Sequence, residues 1–189
     1  MDKRSRKTKT LLNDILITLL KNKSFDRITV TEICQIADVN RATYYYYFTD
    51  PYHQMACIRQ AFFEEIKKKM TDQPSPSPHV APVEKVVEVC RHYQKNRAIY
   101  LAIITVTPHR EYIAQLKDIL LETITQNLLA EGISASDEVM EKLSAFLLAG
   151  CDYLFQLWLQ DNNSLFSPED CAEMMMKLCY EGIKAYMQN

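Results

Sequence analysis

The chain has 189 residues, 48% of them apolar and 24% charged, with only 3 glycines. That length suits one medium domain or a small domain beside a larger one, and the scarcity of glycine leans towards helix. No apolar run reaches the roughly 18 uncharged residues of a membrane span, and the opening MDKRSRKTKT lacks the apolar core of a secretory signal, so a cytoplasmic protein without a membrane partner is expected.

The net charge of −2 hides an asymmetry. Residues 1–70 carry 13 Lys/Arg against 8 Asp/Glu, whereas residues 71–189 carry 9 against 16. A basic front on an acidic body points the front towards a polyanion. The six cysteines, at 34, 57, 90, 151, 171 and 179, form no CxxC pair and read as small buried apolar residues.

In chain order, Leu12, Ile15, Leu16, Leu19 and Leu20 recur at helical spacing and predict a first helix over 5–22. In "TVTE", Thr29 caps a second helix over 29–37 and Glu32 reaches back in a capping box. Ile33, Ile36 and Ala37 form its apolar side. After "DVN", Asn40 caps a third helix to Tyr47. Asp50-Pro51 opens a fourth, running to Met70. "DQPSPSPHVAP" at 72–82, with four prolines and two serines, reads as a linker. Behind it, Thr107-Pro108 predicts a helix to Ala130, stopped by Gly132. "SASD" starts a long helix to Gln160, and "SPED", with Ser167 as cap and Pro168 next, starts the last one. The expected fold is all-α: a helix-turn-helix domain over 1–50, a connecting helix over 51–71, the linker, and a helical domain over 83–189, to which the resemblance and the apolar stripes below assign regulation and dimerisation.

Helices 29–37 and 40–47 make a helix-turn-helix. A helix entering a major groove about 12 Å wide needs small and polar residues near its N-terminus. Arg41, Ala42 and Thr43 meet that need. The run of four tyrosines that follows cannot share one environment, because successive helical residues rotate by about 100°. Tyr44 and Phe48 are expected to face inward with Val39, Ile33 and Ile36. Tyr45, Tyr46 and Tyr47 are expected to fan across the exposed side, where phenols meet phosphates and base edges.

The stretch "ITVTEICQIADVNRATYYYYF", within Lys7 to Ile58, resembles the DNA-binding domain of TetR-family transcriptional regulators. The matching positions are Ile28, Thr29, Val30, Ile33, Ala37, Val39, Asn40, Thr43, Tyr45 and Phe48. The resemblance implies a homodimeric, all-helical regulator, usually a repressor, that binds a palindromic double-stranded operator and answers to a small-molecule effector. By position it places Thr31, Arg41, Ala42 and Tyr46 at bases, and Thr29, Thr43, Tyr45 and Tyr47 at phosphates. Two departures stand out: Pro51 replaces the family's phosphate-touching lysine, and Ala42 replaces a frequent glycine. The basic arm Lys3, Arg4, Arg6, Lys7 and Lys9 is expected to compensate from the minor groove. Further on, "FLLAGCDYLFQLWLQDNNSLFSPEDCAEMM" is similar to a TetR subgroup that includes activators of dihydroxyacetone kinase genes; Gly150, Trp158 and Ser167-Pro168-Glu169 match its pattern.

Leu143, Phe146, Leu147, Gly150, Leu154 and Leu157 fall on one stripe, and Cys171, Met175, Leu178, Gly182 and Tyr186 on another. Glycine inside a helix is easier to accept where two backbones approach closely, so a two-fold four-helix interface is expected, with a core stripe inside one subunit as the alternative. An effector cavity among residues 83–165 would draw on Tyr93, Tyr100, Tyr112, Tyr153 and Trp158, with His92 and His109 as polar contacts; ordinary core packing is the competing reading. No phosphate loop, GxSxG or HExxH motif is present, so no enzyme and no cofactor is expected. His53 and Cys57, four apart, are too few ligands for a closed zinc site, and no metal is expected. A helical regulator that answers to a protein partner, or has lost specific DNA binding, is the alternative function.

Overall fold

The computed structural model describes residues 3–71, 81–108, 110–119, 132, 136–161 and 165–187, and every regular element among them is a helix. The chain packs as two compact units: Met1–Phe62 with Ala98–Val106, and Phe63–Arg97 with Thr107–Asn189. The sequence suggests a boundary in the proline-rich stretch instead. Residues 72–80 of that stretch lie outside the described residues, and Ala81 already belongs to a helix.

The first unit contains α1 (Lys3–Leu20), a single 3-10 turn (Phe25–Arg27), α2 (Val30–Ala37), α3 (Arg41–Tyr47) and the first part of α4 (Pro51–Thr71). It also takes in most of α6 (Arg97–Val106), because Tyr100 and Ile103 are fully buried and Tyr100 stacks on Phe62 at 6.4 Å. Leu12, Ile15, Leu16 and Ile17 of α1 supply the floor against which α2 packs.

The helix starts follow local chemistry. Thr29 accepts the N–H of Glu32 (3.3 Å), and Asn40 accepts the N–H of Thr43 (2.7 Å). Asp50 accepts the N–H of His53 (2.8 Å) in front of Pro51, and that bond is the main cause holding its carboxyl below the usual range. The capping box expected at α2 is only half formed, since the Glu32 carboxylate pairs with Lys23 instead. Ile36 corrects a second expectation: it is 55% exposed, and Cys34 takes the buried place beside Ile33 and Ala37.

The second unit holds α5 (Ala81–Lys95), α7 (110–119), α8 (Asp137–Gln160), α9 (Pro168–Met175), a π turn (Met176–Glu181) and α10 (Gly182–Met187). Ser136 caps α8, and Ser167 forms a full capping box with Asp170. Thr107 does not cap α7: the Pro108 carbonyl accepts the N–H of Tyr112 (3.2 Å), so the proline stands before the helix. The predicted continuation to Ala130 lies outside the described residues. Gly132 has φ 73°, a left-handed conformation that suits glycine.

α5 packs on α9, where the Cys90 and Cys171 side chains are both fully buried. Both are free thiols; a side-chain hydrogen bond with Cys171, and then burial, push the Cys90 thiol far up. Tyr93 stacks on Phe155 at 4.2 Å, and Arg91 forks onto Glu169 (3.2 and 2.6 Å).

Between α2 and α3, Asp38 has φ 52° and the Val39 N–H returns to the Cys34 carbonyl (3.1 Å). A left-handed residue with a side chain costs about 1–2 kcal/mol relative to its usual conformation. Asp38→Gly is therefore expected to raise stability by about 1 kcal/mol, and Asp38→Val to lower it; thermal melts of the two variants check the pair.

Candidate nucleic-acid interface

α3 is held from behind and open in front. Tyr44 is fully buried and its hydroxyl donates to Gln54 Oε1 (3.0 Å). Gln54, also fully buried, donates onward to Asn13 Oδ1 (3.3 Å). One tyrosine thus ties α3 to α4 and α1 at once. Burial is the main reason its hydroxyl is pushed far above the usual range, so it stays a neutral donor. Phe48 is buried beside it, with the Lys9 ammonium 5.7 Å from its ring centroid. Val39 is half-buried.

The open side carries Arg41, Ala42, Tyr45 and Tyr46, with Tyr46 77% exposed. The Arg41 guanidinium donates through Nη2 to Thr31 Oγ1, linking the first turns of α2 and α3. Thr29 is exposed; its hydroxyl oxygen already accepts the Glu32 N–H, which leaves its hydrogen for a phosphate. Thr43 differs. Its hydroxyl donates to Asn40 (2.9 Å), so in the free protein it offers an outside group only an acceptor.

Tyr47 corrects the expectation of three outward tyrosines. It is half-buried, its ring meets the Tyr46 edge at 4.9 Å, and its hydroxyl donates to Ser5 (3.0 Å). That bond brings the start of α1 against the end of α3. The basic segment is helical from Lys3 onward, so among the described residues it is a first turn and not an extended arm. Arg4, Arg6 and Lys7 are exposed on it, flanking Ser5. Gln54 and Asn13 are positions that the sequence reading missed. The signal was faint: two amides facing the apolar side of otherwise regular helices.

Family models and curated proteins give no match to the sequence. Solved structures do. A TetR-family transcriptional regulator from Syntrophomonas wolfei superposes with TM-score 0.77 at 12% identity, covering 93% of this chain and 94% of the other. The chain has the fold of TetR-family transcriptional regulators. The dihydroxyacetone kinase operon activator DhaS gives TM-score 0.67 at 18% identity, covering 94% and 97%. NalD, the secondary repressor of the MexAB-OprM efflux pump in Pseudomonas aeruginosa, gives 0.62 at 17%, covering 96% and 98%.

In this TetR fold the second unit contains a cavity of about 110 Å³, walled by residues that include Ile66, Met70, Val89, Tyr93, Leu148 and Phe155. Of the five aromatic residues expected to line a cavity, Tyr93 alone does so. Tyr100 belongs to the core of the first unit. Tyr112 packs on Phe63 and donates to the buried Asp152, which also accepts from Gln156 (2.7 Å). Tyr153 is exposed, and Trp158 donates to the Phe166 carbonyl (2.7 Å). His92 contacts Asn96 (3.2 Å), and His109 lies outside the described residues. Aromatic content marks a core and a cavity wall equally, which is why composition misassigned them.

The two apolar stripes split. Leu147 and Cys171 are buried, Leu143, Leu154 and Met175 are half-buried, and Phe146 and Leu178 are 73% and 70% exposed. Gly150, Leu157, Gly182 and Tyr186 are exposed with them, and a Cβ at either glycine would meet nothing within 4 Å.

Gln54→Leu leaves the buried Tyr44 hydroxyl without its acceptor and is expected to cost about 1–3 kcal/mol. The double variant with Tyr44→Phe, which removes both partners, is expected to recover part of that loss. Urea unfolding of the three proteins checks it.

Proposed function

We propose that the chain is a DNA-binding transcriptional regulator that grips a palindromic operator as a homodimer. The observation that carries this reading is α3. Its Arg41, Ala42, Tyr45 and Tyr46 face outward while Tyr44 is locked to two other helices. A rigid rod with small and polar residues at its leading end fits a major groove, and a preorganised reader loses little freedom on binding. The exposed first turn of α1, with Arg4, Arg6 and Lys7, supplies phosphate contacts that Pro51 cannot.

Dimerisation is supported by the exposed faces of α8 and of the last turns. Phe146, Leu157, Leu178 and Tyr186 are large apolar groups in water, and the bare glycines Gly150 and Gly182 leave room for an approaching backbone. A two-fold pair presents two α3 helices to half-sites about one DNA turn, ~34 Å, apart. Repression is the assigned sign, tested by whether deleting the gene raises transcription of its neighbours. One fold neighbour is named an activator and another a repressor. The cavity of the second unit is the assigned effector site. Its walls are almost wholly apolar, and engineered cavities of about 150 Å³ bind benzene-sized ligands.

Fluorescence anisotropy with the DNA upstream of its own gene is expected to show at least about a thousandfold preference over random DNA at physiological salt. Tyr46→Ala is expected to weaken the specific site more than random DNA; equal affinity of the unaltered protein for both DNAs would overturn the reading. In sedimentation at micromolar concentration the chain is expected to run as a dimer, and the Phe146→Asp, Leu178→Asp double variant as a folded monomer. A monomeric parent chain would instead favour a different protein as the occupant of that face.

A further inference from the structure

We infer that Arg41 reads a guanine in each half-site, and that Thr31 positions its guanidinium for that contact instead of touching a base itself. The inference rests on the DNA-binding reading above and concerns which base the first turn of α3 selects.

The bond from Arg41 Nη2 to Thr31 Oγ1 joins two helices across the turn. An exposed arginine side chain ordinarily samples many rotamers, and a fixed one forfeits less freedom on forming a paired contact. Threonine is a neutral acceptor, so it orients the guanidinium without cancelling its charge. None of the ion pairs formed among the described residues involves Arg41. Arg41 is exposed, and a guanidinium that gives one N–H to Thr31 keeps its other N–H groups as donors for an outside partner. The Thr31 hydroxyl, accepting from Arg41, keeps its own hydrogen to give to a phosphate oxygen.

The surroundings favour a base over a phosphate as the partner of that fork. The open groove beside Arg41 is lined also by Gln35, Asp38 and Asn40. The Asp38 carboxylate repels a phosphate, whereas a base edge carries both donors and acceptors. In the major groove a pair of donors is matched by guanine alone, which presents two adjacent acceptors, N7 and O6. Adenine presents one acceptor and one donor, cytosine a donor, and thymine a single acceptor beside its methyl.

The test is selection from a randomised duplex library by the full-length protein, followed by affinities for the selected site and for random DNA. The unaltered chain is expected to select a two-fold motif with one invariant guanine per half-site. Arg41→Ala is expected to bind that motif about 10- to 100-fold more weakly, to lose preference at that position alone, and to change little on random DNA. Thr31→Val, isosteric but without the hydroxyl, is expected to relax the guanine preference several-fold, and Thr31→Ser to restore it. Unchanged thermal melts show that the variants fold. Arg41→Ala protein that still selects the same guanine, or that loses equally on both DNAs, overturns the assignment to a base. Thr31→Val protein with full guanine preference overturns the positioning role. If the unaltered chain selects no motif, the regulator reading falls and this inference with it; a motif without the guanine sinks the inference alone.

Discussion

The hydrogen-bond chain Tyr44–Gln54–Asn13 is the constraint on which the first unit depends. A seven-residue helix is too short to hold its own shape in water. α3 therefore takes its position from what it is tied to. Buried polar groups tolerate few geometries, because each unmet donor or acceptor is costly. The amide of Gln54 must face the tyrosine and the asparagine together, which fixes the rotation of α3 about its own axis. Once that rotation is set, Arg41, Ala42, Tyr45 and Tyr46 follow onto the outer side by helical geometry alone.

Charge travels with this arrangement. The Tyr47–Ser5 bond puts the basic opening turn of α1 against the far end of α3. Arg4, Arg6 and Lys7 therefore sit at one end of the reading helix, and Arg41 at the other. A polyanion laid along α3 would meet cations at both ends and aromatic rings between them. Each phosphate neutralised by the α1 cations releases counterions, which gives affinity without sequence preference. Preference has to come from the groups that reach base edges, Arg41 first among them.

What the sequence made legible was mostly local. The caps Asn40, Asp50, Ser136 and Ser167 were readable because donor and acceptor lie within one helical turn. The inward Tyr44 and Phe48 were readable from rotation per residue. Failures came where the partner is distant in sequence. Glu32 reaches Lys23 instead of its own cap, and Tyr47 finds Ser5 across 42 positions. Tyr100 lies beyond the linker, yet it joins the core of the first unit. Ile36 looked inward by composition, but it is exposed and Cys34, two residues before it, is the one that is buried. A stripe pattern cannot say which of its residues lack a partner, and that is where the exposed Phe146 and Leu178 emerged.

The uneven burial of the thiols has a practical consequence. Cys34, Cys90 and Cys171 are closed off from water, and both Cys34 and Cys90 hold their protons more tightly than a free thiol. Alkylation needs an accessible thiolate. Cys57, half-exposed on α4 with its sulfur 3.4 Å from the His53 ring, offers an attachment point for a fluorophore three residues from Gln54 in a variant whose Cys151, equally half-exposed, and Cys179 are replaced. A dye placed there would report on the mooring of the reading helix, while the sulfur pair between α5 and α9 stayed unmodified.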